Sequence, residues 1–477
     1  MSIPRSILDA YDPERFRADG HKLIDMLAGQ LARWQRREGP VVPWRDPARA
    51  RSHWAESTSS GDFVDDLARI AAASTAVANP RCMAHQVPPP LPAAALAELV
   101  SAILNNGMAV FEMGPAAVPI ELAVIEWMCG TLGLPRGAGG VLTSGGSLGN
   151  LTALLAMRQA HAGFDVWKAG AHGGPPLAVI VSSEAHYSVS RTLAIMGWGE
   201  GGAIRAAVDA RHRMTARAVE DALAQAQGSD RRVIGIIAAA GSTATGAYDP
   251  LGELADLAAA RGLWLHVDAA HGGGAALSPT HRGKLAGIER ADSIVWDAHK
   301  LLMMPALVTA VLFKREHHAY EAFAQQASYL FAETPPAEHW WDLGQRTLEC
   351  TKRMMAIELW VALRSRGEAW FTDVIDRQHE LATELAQKLA DAPDFELALE
   401  PESNIVCYRH RPPGMTDQGA LDRHNRALRE RVVTDGRFYI VGTTLPTGYH
   451  LRSTLMNPLI EPDDLHDLIA HLRKLCP

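Results

Sequence analysis

Leu263-Trp-Leu-His-Val-Asp-Ala-Ala-His-Gly-Gly-Gly274 is the stretch whose reading decides the fold. A short apolar run ends in an acid, Asp268, and small residues come directly after it. An apolar run of this length, bounded by glycines, reads as a buried strand. The same rhythm extends outward in both directions. Apolar runs at 141–143, 177–183 and 233–239 precede helical patterns at 148–160, 187–196 and 251–261. Further runs at 293–296 and 307–313 lead into a loop and a helix. Strands alternating with helices predict a mostly parallel sheet covered on both faces, hence an α/β fold. In such sheets ligands sit at the carboxyl ends of the strands, so the residues just past each strand carry the functional information.

Around this centre three segments are expected. Residues 1–85 form an N-terminal helical arm, with Phe16, Leu23, Ile24, Met26, Leu27 and Leu31 mostly at helical spacing over 13–36. Pro80 and the run Pro88-Pro-Pro90 end it. An arm with an apolar face packs on something, and a second subunit is the natural partner. Residues 86–365 form the large domain and 366–477 a small α+β C-terminal domain. The latter is expected to hold a helix over 369–390, strands near 404–408, 437–441 and 450–454, and a closing helix over 462–474. A long helix over 346–364 is expected to lead into it.

Composition narrows the class. The 477 residues are 47% hydrophobic and 21% charged, with a net charge of −8. That balance offers no polybasic footprint for nucleic acid or an anionic membrane. The longest apolar stretches, 93–104 and 233–240, fall short of the roughly 20 residues a spanning helix needs. The five cysteines lack disulfide-framework or metal-type spacing, so no metal is expected, and together with an N-terminus lacking an apolar leader they fit a cytoplasmic protein.

Four strand ends carry chemistry-bearing residues in one chain order. Thr143-Ser-Gly-Gly-Ser-Leu-Gly-Asn150 sits between a strand and a helix, and its backbone N–H groups and helix dipole suit a phosphate. It lacks the Lys-[Ser/Thr] ending of a nucleotide-binding P-loop. Next, Val179-Ile-Val-Ser-Ser-Glu-Ala-His186 supplies a flat ring able to stack on a flat cofactor. Asp268 then offers a carboxylate for a ring nitrogen, with Ala270 small enough to pack on the cofactor's other face. Last, Ala291-Asp-Ser-Ile-Val-Trp-Asp-Ala-His-Lys300 places His299 and Lys300 beyond a short strand. A lysine to hold an aldehyde as a Schiff base and an acid to keep a pyridine nitrogen protonated suit pyridoxal 5'-phosphate.

With those motifs in view, the chain resembles the group II pyridoxal-phosphate-dependent amino acid decarboxylases, which include aromatic-L-amino-acid, glutamate, cysteine sulfinate and diaminobutyrate enzymes. The likeness runs from the arm to Leu451-Arg-Ser-Thr-Leu-Met-Asn457 and is carried by His266-Val-Asp-Ala-Ala270, Ala291-Asp-Ser293 and His299-Lys300. The resemblance implies the aspartate aminotransferase fold type I, a homodimer with its active site at the subunit interface, and a small L-amino acid substrate. It places Gly146 and Ser147 at the phosphate, His186 on the ring, Thr243 near the phenolic oxygen and Asp268 at the ring nitrogen. Ala270 packs on the ring, His299 is the phosphate-side or catalytic histidine, and Lys300 makes the covalent link. Tyr329 matches a mobile-loop tyrosine that reprotonates the substrate carbon, and Arg452 an arginine near the substrate carboxylate.

Some positions depart from the commoner pattern. Asp297 stands where many members have Asn, which puts an anion near the phosphate unless it is turned away or hydrogen-bonded. His271 replaces a frequent Tyr. Cys82 and Met83 stand where the family has paired aromatics, on the segment shaping the substrate side, while His85 and Gln86 could meet a polar side chain. Phe111 could add an aromatic wall. The expected activity is α-decarboxylation of an aromatic or diamino L-amino acid. Transamination or oxygen-dependent oxidative deamination on the same scaffold is the alternative, and a non-catalytic binding protein a remote one. Aldehyde-forming members carry Phe at the loop-tyrosine position, so Tyr329 favours simple decarboxylation.

Overall fold

In the computed structural model the described residues are 3–56, 61–228, 230–323 and 339–476. They group into two compact bodies. One comprises Gln86–Ala386 with Leu399–Cys407, the other Met1–His85 with Gln387–Ala398 and Tyr408–Pro477. The arm thus groups with the C-terminal segment, and the division falls at Gln387, where the sequence reading sets it at 366.

The larger body is built on seven strands, β1 (Gly139–Thr143), β2 (Leu177–Ser182), β3 (Ala203–Ala206), β4 (Arg232–Ala239), β5 (Trp264–Asp268), β6 (Ser293–Asp297) and β7 (Thr309–Phe313). Their spatial order is β1-β7-β6-β5-β4-β2-β3. Pairing from β3 through β2, β4 and β5 to β6 is parallel, and only β7 runs antiparallel to its neighbours. The sheet is therefore mostly parallel, as the strand–helix alternation requires. Strand β3, with its three of four residues incompletely buried, has too weak an apolar pattern to be expected from sequence.

Side-chain alternation explains why both faces are covered. Leu265 and Val267 of β5 join Ile236, Ile294 and Leu312 in one apolar cluster. Trp264 joins Ile237, Val295 and Val311 in another, packed by Ala153, Leu154 and Met157 of the helix Gly146–His161. A period of two sends successive residues to opposite faces, and a sheet buried on both sides needs apolar residues at nearly every position. Burial at about 25 cal/mol per Å² of apolar surface makes these two layers the main stabilising term.

The helix expected over 346–364 begins later, as Ala356–Ala390, with a break in its geometry at Gly367, whose φ is 74°. Glycine tolerates that left-handed conformation without a Cβ clash. Arg346 instead is a fully buried loop side chain, paired to Glu316 at 3.0 Å.

The smaller sheet has the order β10-β11-β9-β8, from β8 (Phe395–Leu397), β9 (Ile405–His410), β10 (Val441–Leu445) and β11 (Gly448–Thr454). The helices Gln418–Asp435 and Pro462–Lys474 belong to the same C-terminal segment. The strand expected at 437–441 starts where that range ends. Within this body the stretch after the arm helices is tied down by backbone bonds from Val41 N–H to Gly436 O (2.8 Å) and Met83 N–H to Tyr439 O (2.9 Å). The arm helices Arg5–Ala10 and Pro13–Gln35 bury no residue.

Candidate active site

Five strand ends of the larger body converge on one cavity of about 360 Å³. Its walls come from the segments after β1, β2, β4, β5 and β6, the carboxyl ends of parallel or sheet-central strands.

After β1 the chain turns at Gly145, with φ 107°, into the helix Gly146–His161. A Cβ on Gly146 would lie 3.2 Å from both carboxylate oxygens of Asp297, so glycine leaves the helix N-terminus open at its backbone. First-turn N–H groups without intrahelical partners, plus the helix dipole, make this end fit a phosphate. Ser147 lines the same wall.

Asp268 closes β5 and is held on both oxygens. Asn150 Nδ2 donates to Oδ2 at 3.0 Å, and the Ala270 backbone N–H donates to Oδ1 at 3.2 Å. Behind Asn150 runs a buried chain of polar groups. Trp264 Nε1–H donates to Ser293 Oγ (2.8 Å), whose hydroxyl faces His266 Nδ1 (2.8 Å), and His266 Nε2 faces Asn150 Oδ1 (2.9 Å). The amide oxygen can only accept, so Nε2 of His266 carries the proton and Nδ1 receives the serine hydroxyl. Burial lowers the His266 pKa to about 4, which keeps the ring neutral and the chain of donors intact.

His186 caps the helix Tyr187–Ile195 and contacts the same network. Its Nδ1 lies 2.8 Å from Ser188 Oγ, which also accepts from Asn150 Nδ2 at 3.0 Å. Burial pushes its pKa below the ordinary imidazole value, against the opposing pull of the Asp268 carboxylate.

Asp297, at the end of β6, is buried and does not face the cavity unpartnered. Thr309 Oγ1 donates to its Oδ1 at 2.5 Å, and Lys300 Nζ pairs with its Oδ2 at 2.9 Å. His299 Nε2 lies 3.6 Å from the same oxygen, while its Nδ1 sits 2.9 Å from the Val308 carbonyl. The anion flagged in the sequence is thus hydrogen-bonded and charge-paired. His271 lines the cavity and reaches Asn404 Oδ1 at 2.7 Å. Thr243 and Ala270 also line it.

The cavity wall therefore brings together Gly146, Ser147, His186, Thr243, Asp268, Ala270, His299 and Lys300. Phe111 belongs to the same body but not to this wall; it is partly exposed, with its N–H bonded to Asp342 Oδ1 at 3.1 Å. Met83, His85 and Arg452 belong to the smaller body. There His85 Nε2 lies 3.0 Å from the Tyr439 hydroxyl, and Arg452 is buried on β11. Tyr329 lies outside the described residues.

Asn150, Ser188 and His266 are site residues that sequence reasoning passed over. A signal existed for His266: it stands two residues before Asp268 on the same strand and so shares its face. Asn150 sits one turn into the helix after Gly146, facing the sheet. Nothing local says which strand it meets.

The contents of this cavity fit pyridoxal phosphate: an open helix N-terminus, a carboxylate fixed by two donors, a flanking imidazole and one lysine amine. Comparison with known proteins agrees. The family described as "Pyridoxal-dependent decarboxylase conserved domain" matches residues 58–411. The chain is 33% identical over 403 residues to L-2,4-diaminobutyrate decarboxylase of Rhizobium meliloti (strain 1021), covering 82% of this chain and 77% of that one. It is 32% identical over 394 residues to human cysteine sulfinic acid decarboxylase, covering 80% and 79%. The crystal structure of mouse CSAD in apo form superposes with a TM-score of 0.91 at 26% identity, over 98% of this chain and 99% of that one. The chain accordingly belongs to the pyridoxal-dependent decarboxylase family, and is a pyridoxal-phosphate-dependent amino acid decarboxylase of fold type I.

Proposed function

We propose that the cavity decarboxylates an L-amino acid at its α-carbon, with Lys300, Asp268 and His186 as the central residues. The observation that carries this is the fixing of Asp268 by Asn150 and the Ala270 N–H on the same wall as Lys300. When bound, pyridoxal phosphate supplies an electron-withdrawing ring that takes up the electrons left by departing carbon dioxide. The residues around it bind and orient. Gly146 and Ser147 would hold the phosphate at the helix N-terminus, and Lys300 the aldehyde carbon through its amine. Asp268 would hold a proton on the ring nitrogen, an electrostatic contribution largest when charge develops. His186 and Ala270 would bracket the ring, with Thr243 at its oxygen and His299 on the phosphate side. Tyr329 would return the proton to the substrate carbon.

On the substrate side, a diamino acid is the reading we favour, supported by the 33% identical diaminobutyrate enzyme. The 32% identical cysteine sulfinic acid enzyme supports an acidic amino acid as the second reading. Met83, His85, Phe111 and Arg452 are proposed as substrate contacts on the family resemblance alone, since none of them lines the cavity described above. The working form we propose is a cytoplasmic homodimer in which the arm meets a second copy. Phe16 is 57% exposed on the second arm helix and Tyr11, between the two arm helices, is 84% exposed; neither helix has a fully buried residue. Among the described residues no helix is long and apolar enough to cross a membrane.

The test is an amine-release assay across a panel of L-amino acids, paired with borohydride reduction and peptide mapping. Carbon dioxide and amine from a diamino acid, with the pyridoxyl tag on Lys300, are expected. A tag elsewhere, or turnover retained by Lys300→Ala, overturns the catalytic assignment. Keto acid, or ammonia with peroxide, as the main product would favour the transaminase or oxidase alternative.

A further inference from the structure

The smaller body brings together three ligand-type side chains that are distant in sequence. His410 ends β9, His424 lies in the helix Gln418–Asp435, and Cys476 comes just after the helix Pro462–Lys474. His410 Nδ1 is 2.9 Å from His424 Nε2 and 3.9 Å from Cys476 Sγ. The three ligand atoms all lie within 4.8 Å of one another. Metal–nitrogen bonds of about 2.0–2.1 Å and metal–sulfur bonds of about 2.3 Å place tetrahedral ligand atoms roughly 3.3–3.6 Å apart. Side-chain adjustments on the order of 1 Å would bring these atoms onto one ion.

The surroundings match what such a site needs. Both imidazoles are buried. His410 Nε2, the nitrogen away from the cluster, faces Asp394 Oδ2 at 3.4 Å. Arg473 grips that carboxylate from Nε (2.8 Å) and Nη2 (2.7 Å). A carboxylate on the far nitrogen orients a ligating histidine and raises its basicity. Arg431 Nη1 reaches the carbonyls of Leu475 (3.4 Å) and Cys476 (3.3 Å), tying down the end of the chain.

We propose that His410, His424 and Cys476 bind one zinc-class divalent cation, with Asp394 as the positioning residue for His410. Mixed imidazole and thiolate donors select that class over magnesium or calcium. Binding moves the proton shared between the two rings to a far ring nitrogen and releases the thiol proton to solvent. The ion would clip the chain's end onto β9 and the helix Gln418–Asp435.

The test uses the full-length, cofactor-loaded protein after chelator treatment and dialysis. Zinc is titrated against a chromophoric indicator, and iodoacetamide labelling is mapped by mass spectrometry. One zinc per chain is expected, with Cys476 labelled at least about 10-fold more slowly once its thiolate is metal-bound and the exposed Cys350 unaffected. Asp394→Asn should weaken zinc roughly 10–100-fold, and Cys476→Ser by more. Neither variant touches the cavity, so decarboxylation should persist, and serine, nearly isosteric with cysteine, should leave the fold in place. Equal zinc binding by wild type and Cys476→Ser, or labelling of Cys476 indifferent to stoichiometric zinc, overturns the proposal. The decarboxylase assignment is unaffected by either result.

Discussion

Asn150 Nδ2 stands 3.0 Å from Asp268 Oδ2, joining the helix that opens at the phosphate-type turn to the acid at the end of β5. One side chain thus sets the distance between the anion-binding end of the cavity and its carboxylate. Its oxygen is held in turn by His266, so the amide cannot flip without losing a buried bond. A hydrogen bond to a charged group contributes about 1.5–3 kcal/mol. Asn150→Ala should therefore lower kcat/KM about 10–100-fold and loosen the cofactor by a similar factor. Asn150→Asp should be worse, because it sets a second carboxylate against Asp268. Steady-state kinetics and the visible absorbance retained after gel filtration check both.

The ion pair of Asp297 with Lys300 at 2.9 Å gives a second prediction. The Asp297 carboxylate also lies beside the helix N-terminus, 3.2 Å from where a Gly146 Cβ would be. Two charges at 4 Å interact by about 1 kcal/mol even in water. Asp297→Asn should accordingly tighten binding of inorganic phosphate to the cofactor-free protein by about 5-fold. Isothermal titration calorimetry measures this, and unchanged affinity would mean Thr309 and Lys300 already neutralise the carboxylate.

His266 predicts a pH dependence. Its pKa is lowered to about 4 by burial, from an ordinary value of 6.5. Between those values the unfolded chain binds a proton that the folded chain refuses, so stability rises with pH there. The contribution is fully present above about pH 6.5 and is lost as pH falls toward about 4, at up to about 1.4 kcal/mol per unit. Denaturant unfolding from pH 7 to 4.5 should show this slope. His266→Gln, which cannot titrate, should reduce it.

Lys352 and Glu121 form a buried ion pair under β1. Lys352 Nζ also donates to Leu142 O at 2.7 Å, and Leu142 N–H donates to Glu121 Oε1 at 3.0 Å. Removing one partner leaves an uncompensated buried charge, typically costing about 3–5 kcal/mol. Lys352→Ala should therefore unfold at markedly lower denaturant, while Lys352→Met combined with Glu121→Leu should recover most of the loss. Chemical denaturation of the wild type and these two variants gives the answer.

The residues lining the cavity were legible because each comes within a few residues of the end of its own strand. The phosphate-type turn after β1, His186 after β2, Asp268 ending β5 and Lys300 after β6 are local signals, and a parallel sheet places such ends together. The supporting residues were not legible in the same way. Asn150 meets Asp268 across 118 positions, and His266 meets Asn150 across 116, through strand and helix packing that no short window contains. The helix expected from 346 failed for a related reason: Arg346 is consumed by burial and by its bond to Glu316, a tertiary partner that overrides helix propensity.

Periodicity, turn residues and strand-end chemistry by themselves determined the α/β class and the chain order in which Gly146, His186, Asp268 and Lys300 come to line one cavity. These depend on backbone preferences and on alternation, which act over a few residues. Tertiary structure alone decided which donors hold Asp268, what neutralises Asp297, and that two histidines and a cysteine from three separate elements face one point. Those outcomes depend on distances between chain segments, and such distances are set only when apolar faces pack and buried polar groups must find partners.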